Sequence, residues 1–234
     1  MNYYQQRGGF LQNLPQVTKV LLIINVSVFA FVTVFGVLLL RPINYTNLED
    51  LPIGIRLWEW MTLKSIHSGE FEPYQLITHM FAHGLFRSGG GLHILFNMYF
   101  GLIMFGKYIE ETLGPKRFSI LYFASGLGAA ALQLFVNYIQ GADAGMVGAS
   151  GAIMGIFAAF AVYYPNVELY MMFIPIPIKA KYMLPIMAVL SIVLGVSGGG
   201  GRLFGNVAHF AHLGGAIVGF LLTFFWKKNQ FRQY

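Results

Sequence analysis

Cysteine is absent from the 234-residue chain and charge is scarce: 15 basic and 9 acidic residues make up only 10% of it. Without thiols there are no disulfides and no thiolate chemistry, and the 6 histidines are left as the only soft metal ligands. Without charge there is no ordinary soluble surface, since a soluble domain carries about 25% charged residues. Surface that faces hydrocarbon cannot carry charge cheaply, so the deficit, beside a 56% hydrophobic composition, points to an integral membrane protein. The net charge of +6 does not suggest nucleic acid, because the positive residues stand at the ends of apolar runs. The length suits one compact bundle with no second large domain.

What is present is a series of long apolar runs. Residues 1–17 are polar and aromatic and read as a short cytoplasmic or interfacial arm. The run Val20 to Leu40 has no charge, and its 21 residues match the roughly 20 helical residues needed to cross a core of about 30 Å. Polar residues precede it, so it reads as a span and not as a cleaved leader. Residues 42 to about 75 mix Pro, Gly and scattered charge with Trp58 and Trp60, the pattern of a long loop holding a short amphipathic helix at the membrane surface. Five further spans are expected at about 92–109, 118–142, 147–164, 182–196 and 207–226. A Gly-rich insert, Arg87 to Gly91, precedes the second span, a Pro-rich turn, Phe173 to Ile178, follows the fourth, and Ser197 to Gly201 ends the fifth. The expected fold is an all-α membrane protein, a six-transmembrane-helix bundle with a long first outer loop. Its domain would cover 18–228, with a cytoplasmic tail at 229–234.

Of the 15 Lys and Arg, ten fall on one alternating set of helix ends and five on the other, four of the five in or beside the long loop. The positive-inside rule then puts both termini in the cytoplasm and the long loop outside. The expected setting is multi-pass in a bilayer, such as a bacterial inner (plasma) membrane.

Spans two, four and six each carry unusual polar residues near their outer ends. Ser150 follows Asp143 by seven positions and His212 follows Arg202 by ten, depths of roughly 10 to 15 Å at about 1.5 Å per helical residue. Asn97 follows Arg87 by ten. Small residues surround the first two: Gly148, Gly151 and Gly155 beside Ser150, and Ala208, Gly215 and Gly219 on the face of His212. Glycines so spaced let membrane helices approach closely, which a short Ser side chain needs if its Oγ is to reach an imidazole. A serine hydroxyl becomes a useful nucleophile when an adjacent neutral imidazole takes its proton. Acyl transfer also needs donors for the oxyanion, and Ser150 N–H with the side chains of His93 and Asn97, one turn apart on one helix, are candidates.

These same residues resemble a known family. Gly148-Ala149-Ser150-Gly151 matches the GxSG motif of the rhomboid intramembrane serine proteases, and Ala211 to Gly219 matches their AHxxGxxxG motif. His93 to Asn97 resembles their HxxxN, His79 and His83 the histidines before it, and Gly106 to Glu110 their glycine–glutamate cluster; the similarity covers roughly residues 70 to 226. The resemblance implies that Ser150 is the nucleophile and His212 the general base of a dyad that acts through an acyl-enzyme. It implies that Ser150 N–H, His93 and Asn97 hold the oxyanion, with Gly148 in support. The implied substrates are single-span membrane proteins cut in or near the bilayer, with no cofactor. The sequence departs from the family in three places. Met154 stands where a Tyr or Phe usually packs on the imidazole, the interval from His83 to His93 is longer, and Trp58 is followed by Glu59 where the family often has Trp-Arg.

Plainer roles suit the neighbours. His209, three residues before His212, is expected to line the cavity, since the Gly215 and Gly219 spacing favours His212 as the base. His79 and His83 are spaced like a metal pair, but no Glu follows His79 as in HExxH, so no metal is expected. His67 reads as solvated, Asp143 as a boundary charge, and Glu110 as a tie between a helix end and a neighbouring backbone. A non-catalytic pseudoprotease that binds transmembrane helices is the alternative on the same fold, and retention of both Ser150 and His212 argues against it.

Overall fold

Backbone in hydrocarbon has no water to bond to, so it must satisfy its own N–H and C=O groups, and helices do this locally. A computed structural model describes residues 9–38, 51–85, 90–171, 174–197 and 209–231, and they are mostly helical. Helix α1, Gln16–Thr33, widens into π turns over Val34–Leu38. Its N-terminal flank is Pro15, which offers no side-chain acceptor. The carboxylate of Glu110 does the capping from another helix, accepting the N–H of Val17 at 2.8 Å and of Thr18 at 2.6 Å. Glu110 is thus the backbone tie that the sequence suggests.

The amphipathic loop helix exists as α2, Ile53–Met61. Its buried Gly54 lies on the end of the first span, where a Cβ would stand 2.6 Å from the Gly36 nitrogen. A single-turn helix α3, Gln75–Thr78, follows. The second and third expected spans form one apolar helical stretch, Gly90–Gln140. Helix α4, Gly90–Phe96, continues through i→i+5 turns over Asn97–Gly106 into α5, Lys107–Gln140. Gly114 breaks the stretch with φ 77° and ψ 164°, and Pro115 restarts it. The chain turns back there, and the Phe118 ring comes 3.4 Å from where a Gly106 Cβ would be.

Helix α6, Ser150–Tyr163, is the centre of the packing, buried at almost every position from Gly151 to Ala161. After it, residues expected to make only a Pro-rich turn instead pair as an antiparallel hairpin, β1 Glu168–Met171 with β2 Ile174–Lys179. The alternating Ile-Pro-Ile-Pro-Ile pattern is extended, and a two-stranded ribbon has free edges on which proline's missing N–H costs little. The described fold therefore carries one small sheet and is not purely α. Helix α7, Ala180–Ser197, and helix α8, His209–Phe231, complete it. By length and composition Gln16–Gly36, Gly90–Gln140 and His209–Asn229 can cross a membrane, while Ser150–Tyr163 and Ala180–Val189 are shorter apolar helices. Such a set is compatible with a membrane bundle. The ends of the expected first span at 39–40, most of the Gly-rich insert at 86–89, and the loop at 198–208 with the start of the expected sixth span lie outside the described residues.

Helix α6 also corrects the depth reckoned from sequence. Asp143 to Ala149 is not helical, so Ser150 is the first residue of its helix and not seven residues along it. Fourteen residues at about 1.5 Å each make a helix of roughly 21 Å, shorter than a hydrocarbon core. A non-helical segment bringing the chain to that point must have its backbone satisfied by protein. It is: Leu63 and Met146 exchange both N–H···O bonds at 3.0 and 2.9 Å, Gly148 N–H donates to the His79 carbonyl at 2.8 Å, and Asn137 Nδ2 donates to the Ala144 carbonyl at 2.8 Å.

Candidate active site

Ser150 Oγ and His212 Nε2 lie 2.9 Å apart, 62 positions apart in sequence. With Nε2 unprotonated the hydroxyl donates to it, which is the geometry for moving the proton from oxygen to nitrogen. The contact follows from glycine. A Cβ at Gly215 would overlap the Gly151 carbonyl oxygen, and one at Gly219 would overlap the Gly155 backbone, so α6 and α8 touch main chain to main chain. On the other side of α6, a Cβ at Gly151 would overlap Ala129 and one at Gly155 would overlap Ser125, so α5 closes in as well. Four of the glycines singled out in the sequence, at 151, 155, 215 and 219, therefore lie in one seam under the pair.

The donors gather at the start of α6. Ser150 heads the helix, and the first N–H groups of a helix have no intrahelical partner and sit at the positive end of its dipole. Gly148 has φ +116°, a conformation that L side chains rarely adopt. A Cβ there would also stand 2.8 Å from His93 Cε1 and 3.0 Å from its Nε2. Glycine is required twice over, and the His93 ring lies directly against the loop that leads into Ser150. Asn97 is buried, and its Nδ2 donor makes no hydrogen bond among the described residues. A buried donor without an acceptor is costly unless it serves something absent at rest.

His209 does not contact Ser150 through a hydrogen bond. Its ring centroid is 6.5 Å from that of His212, at right angles, and its Nε2 is buried without a partner among the described residues. Met154 lines, with His212, Leu184, Met187 and Ala188, a cleft of about 10 Å³, room for roughly one water. Polarizable thioethers suit such an irregular gap beside a ring. Helix α7 thus forms one wall next to the imidazole.

The remaining histidines divide. His79 Nδ1 donates to the Gln75 carbonyl at 2.8 Å, and burial pushes its pKa down to about 4. His83 packs edge-on against His93 with centroids 5.3 Å apart. Burial, then the nearby His93, push it down to about 3. Both rings are therefore neutral near pH 7. Among the described residues no group of three or more His, Cys, Asp or Glu is placed to hold a metal. His67 is not simply solvated: it stacks on Tyr138 at 5.2 Å.

Sequence reasoning passed over the residues that fasten the site. Gln133 and Asn137, one turn apart on α5, bond to each other at 2.8 Å; Gln133 Oε1 accepts the Ala211 N–H at 3.2 Å. They hold the start of α8, next to His212, and the loop before Ser150 from a single helix. The signal was available as two amides four residues apart in an apolar span. Trp58, on the surface helix α2, also donates Nε1–H to the His83 carbonyl at 2.8 Å.

Residues 70–229 match the Rhomboid domain family. The chain is 26% identical over 223 residues to rhomboid protease AarA of Providencia stuartii, covering 88% of this chain and 70% of that protein. It is 31% identical over 156 residues to the mitochondrial RHOMBOID-like protein 6 of Arabidopsis thaliana, covering 65% of this chain and 43% of that one. With the chloroplastic Rhomboid-like protein 11 of the same plant it shares 30% over 161 residues, covering 68% of this chain and 53% of that one. The chain spans about half the length of these plant relatives. A match over residues 70–229 takes in Ser150, His212, His93 and Asn97 together, and the chain belongs to the rhomboid family.

Proposed function

We propose that the protein is an intramembrane serine endopeptidase that cuts transmembrane or membrane-adjacent segments of membrane proteins. The carrying observation is the 2.9 Å hydrogen bond between Ser150 Oγ and His212 Nε2. In the proposed reaction Ser150 Oγ attacks the scissile carbonyl carbon while its proton passes to His212 Nε2. The carbonyl oxygen becomes an oxyanion facing the Ser150 N–H, His93 and Asn97. The intermediate collapses as His212 returns the proton to the leaving amine, leaving an acyl-enzyme on Ser150. Water, deprotonated by His212, then attacks the ester carbonyl; the bond to Ser150 Oγ breaks, His212 returns the proton to that oxygen, and the acid is released.

The proposed setting is six crossings with both termini cytoplasmic, an interfacial arm at 1–17, a protease domain at 18–228 and a tail at 229–234, in a membrane such as the bacterial inner membrane. The ten-to-five division of Lys and Arg supports the orientation, and Gln16–Gly36, Gly90–Gln140 and His209–Asn229 are long and apolar enough to cross. Single-span proteins are the proposed substrates, because one unfolding helix can reach a dyad beside the short α6.

Labelling of the detergent-solubilised protein by a fluorophosphonate tests the proposal. Wild type and His209→Ala take the label, whereas Ser150→Ala and His212→Ala do not. Labelling that survived Ser150→Ala would remove the nucleophile, and a folded wild type that never labelled would favour a helix-binding pseudoprotease.

A further inference from the structure

At the end of the bundle opposite Ser150, two cations lie over aromatic rings and form no ion pair among the described residues. The Arg117 guanidinium, on α5, lies over the Trp226 ring at 5.8 Å. The Lys227 ammonium, the next residue on α8, lies over the Tyr163 ring at 5.6 Å. Arg117 is also within electrostatic reach of the Tyr163 phenol, so the two charges share one neighbour. Neither forms an ion pair among the described residues, where both salt bridges belong to Lys64. Glu110 caps α1, Glu168 lies opposite Lys179 in the hairpin, and Glu111 is exposed; none of the three is ion-paired to either cation among the described residues.

The unspent hydrogen-bonding capacity matters more than the charge. A guanidinium stacked on a ring uses its face, so its in-plane N–H fork remains open, and that fork fits two oxygens of a phosphate. Lys227 gives one of its three N–H groups to the Val162 carbonyl at 2.7 Å, capping the end of α6, and keeps two. The Tyr163 hydroxyl is buried with no partner among the described residues, although a phenol at a membrane boundary ordinarily finds one. Donors from three helices, beside the Trp226 and Tyr163 rings, are thus left open among the described residues.

We infer that Arg117, Lys227 and Tyr163 form a binding site for the phosphate of an anionic phospholipid headgroup, clasping the inner ends of α5, α6 and α8 together. Basic pockets between membrane helices on the cytoplasmic side recognise such headgroups by this chemistry. The inference rests on the membrane orientation proposed above but not on the Ser150 chemistry.

Native mass spectrometry of the full chain, released from nanodiscs of equal phosphatidylglycerol and phosphatidylcholine, tests it. Wild type is expected to retain phosphatidylglycerol at least about tenfold over phosphatidylcholine. Arg117→Gln, at an exposed position that leaves the Lys227 cap intact, loses most of that preference; Arg117→Lys recovers part of it, and Lys228→Gln leaves it unchanged. Millimolar inorganic phosphate in competition separates the sources: no displacement means the lipid is the ligand, and full displacement means free phosphate occupies the same site. Equal retention of the two lipids by wild type, or an Arg117→Gln protein with undiminished preference, would overturn the site. Because fluorophosphonate labelling is read separately, loss of the lipid site and loss of the proposed protease chemistry are distinguishable.

Discussion

Gly215 lies on Gly151 with no side chain between them, and that backbone contact sets the distance from Ser150 to His212. A Cβ at Gly215 would overlap the Gly151 carbonyl oxygen. Backbone cannot swing aside as a side chain can, so Gly215→Ala forces α8 away from α6. The expected cost is about 1–3 kcal/mol, the usual range for overpacking. The hydrogen bond at 2.9 Å should be lost before the fold is. Thermal melts in detergent should show a modest fall in midpoint beside a near-complete loss of fluorophosphonate labelling. A Gly215→Ala protein that labelled at the wild-type rate would show that the seam does not govern the dyad.

Glu110 and Val17 make the opposite kind of pairing, structural and remote from the dyad. Glu110→Ala strips the α1 N-terminus of two charge-assisted bonds, to Val17 and Thr18. Hydrogen bonds to a charged group contribute about 1.5–3 kcal/mol, and a cap about 1. Glu110→Ala should therefore lose roughly 2–3 kcal/mol of stability, measured by denaturant unfolding, while the folded fraction labels normally.

The buried histidines outside the spans give a pH dependence with a definite sign. His79 and His83 have folded pKa values of about 4 and about 3, both lowered from 6.5 mainly by burial. The unfolded chain therefore binds more protons than the folded one below pH 6.5, and stability falls as pH falls. The contribution is complete above pH 6.5 and lost progressively toward pH 4 and 3. Melting midpoints taken from pH 7.5 to 4 should decline, and His83→Leu should make that decline shallower. An unchanged slope in His83→Leu would mean that the ring is hydrated and titrates freely.

How much of this was legible in the sequence depended on whether a residue's job was local. The GxSG and AHxxGxxxG spacings specified the glycine seam because small residues at i and i+4 are useful only when another helix lies there, and Gly151, Gly155, Gly215 and Gly219 do meet. The carboxylate of Glu110, buried in an apolar context, announced a backbone partner without naming Val17. Depth was less legible: counting 1.5 Å per residue from Asp143 assumed helix through a segment that is held extended by Leu63, His79 and Asn137, all distant in sequence. The hairpin at Glu168–Lys179 was missed because prolines read as turn unless edge pairing is considered. Gln133 and Asn137, two amides one turn apart in an apolar span, signal a polar tie, but their main-chain partners, Ala211 and Ala144, carry no sequence signature.

Gly148 offers the sharpest separation of turnover from stability. Its φ of +116° disfavours any side chain, and a Cβ would press on His93 at 2.8 Å, moving the ring and not the backbone, because an imidazole edge is the freer of the two. Gly148→Ala should therefore cost stability of order 1–2 kcal/mol from backbone strain. It should also displace one proposed oxyanion donor, and removing such a donor lowers turnover about 10²–10³-fold. His93→Ala removes the donor without the strain. If His93 acts on the oxyanion, the two variants should show similar falls in kcat with little change in KM, and only Gly148→Ala should melt earlier. Cleavage of a reconstituted single-span substrate in liposomes, with melts on the same preparations, reads both quantities. A His93→Ala enzyme with wild-type kcat would leave Ser150 N–H and Asn97 as the donors and reduce His93 to packing against the Gly148 loop.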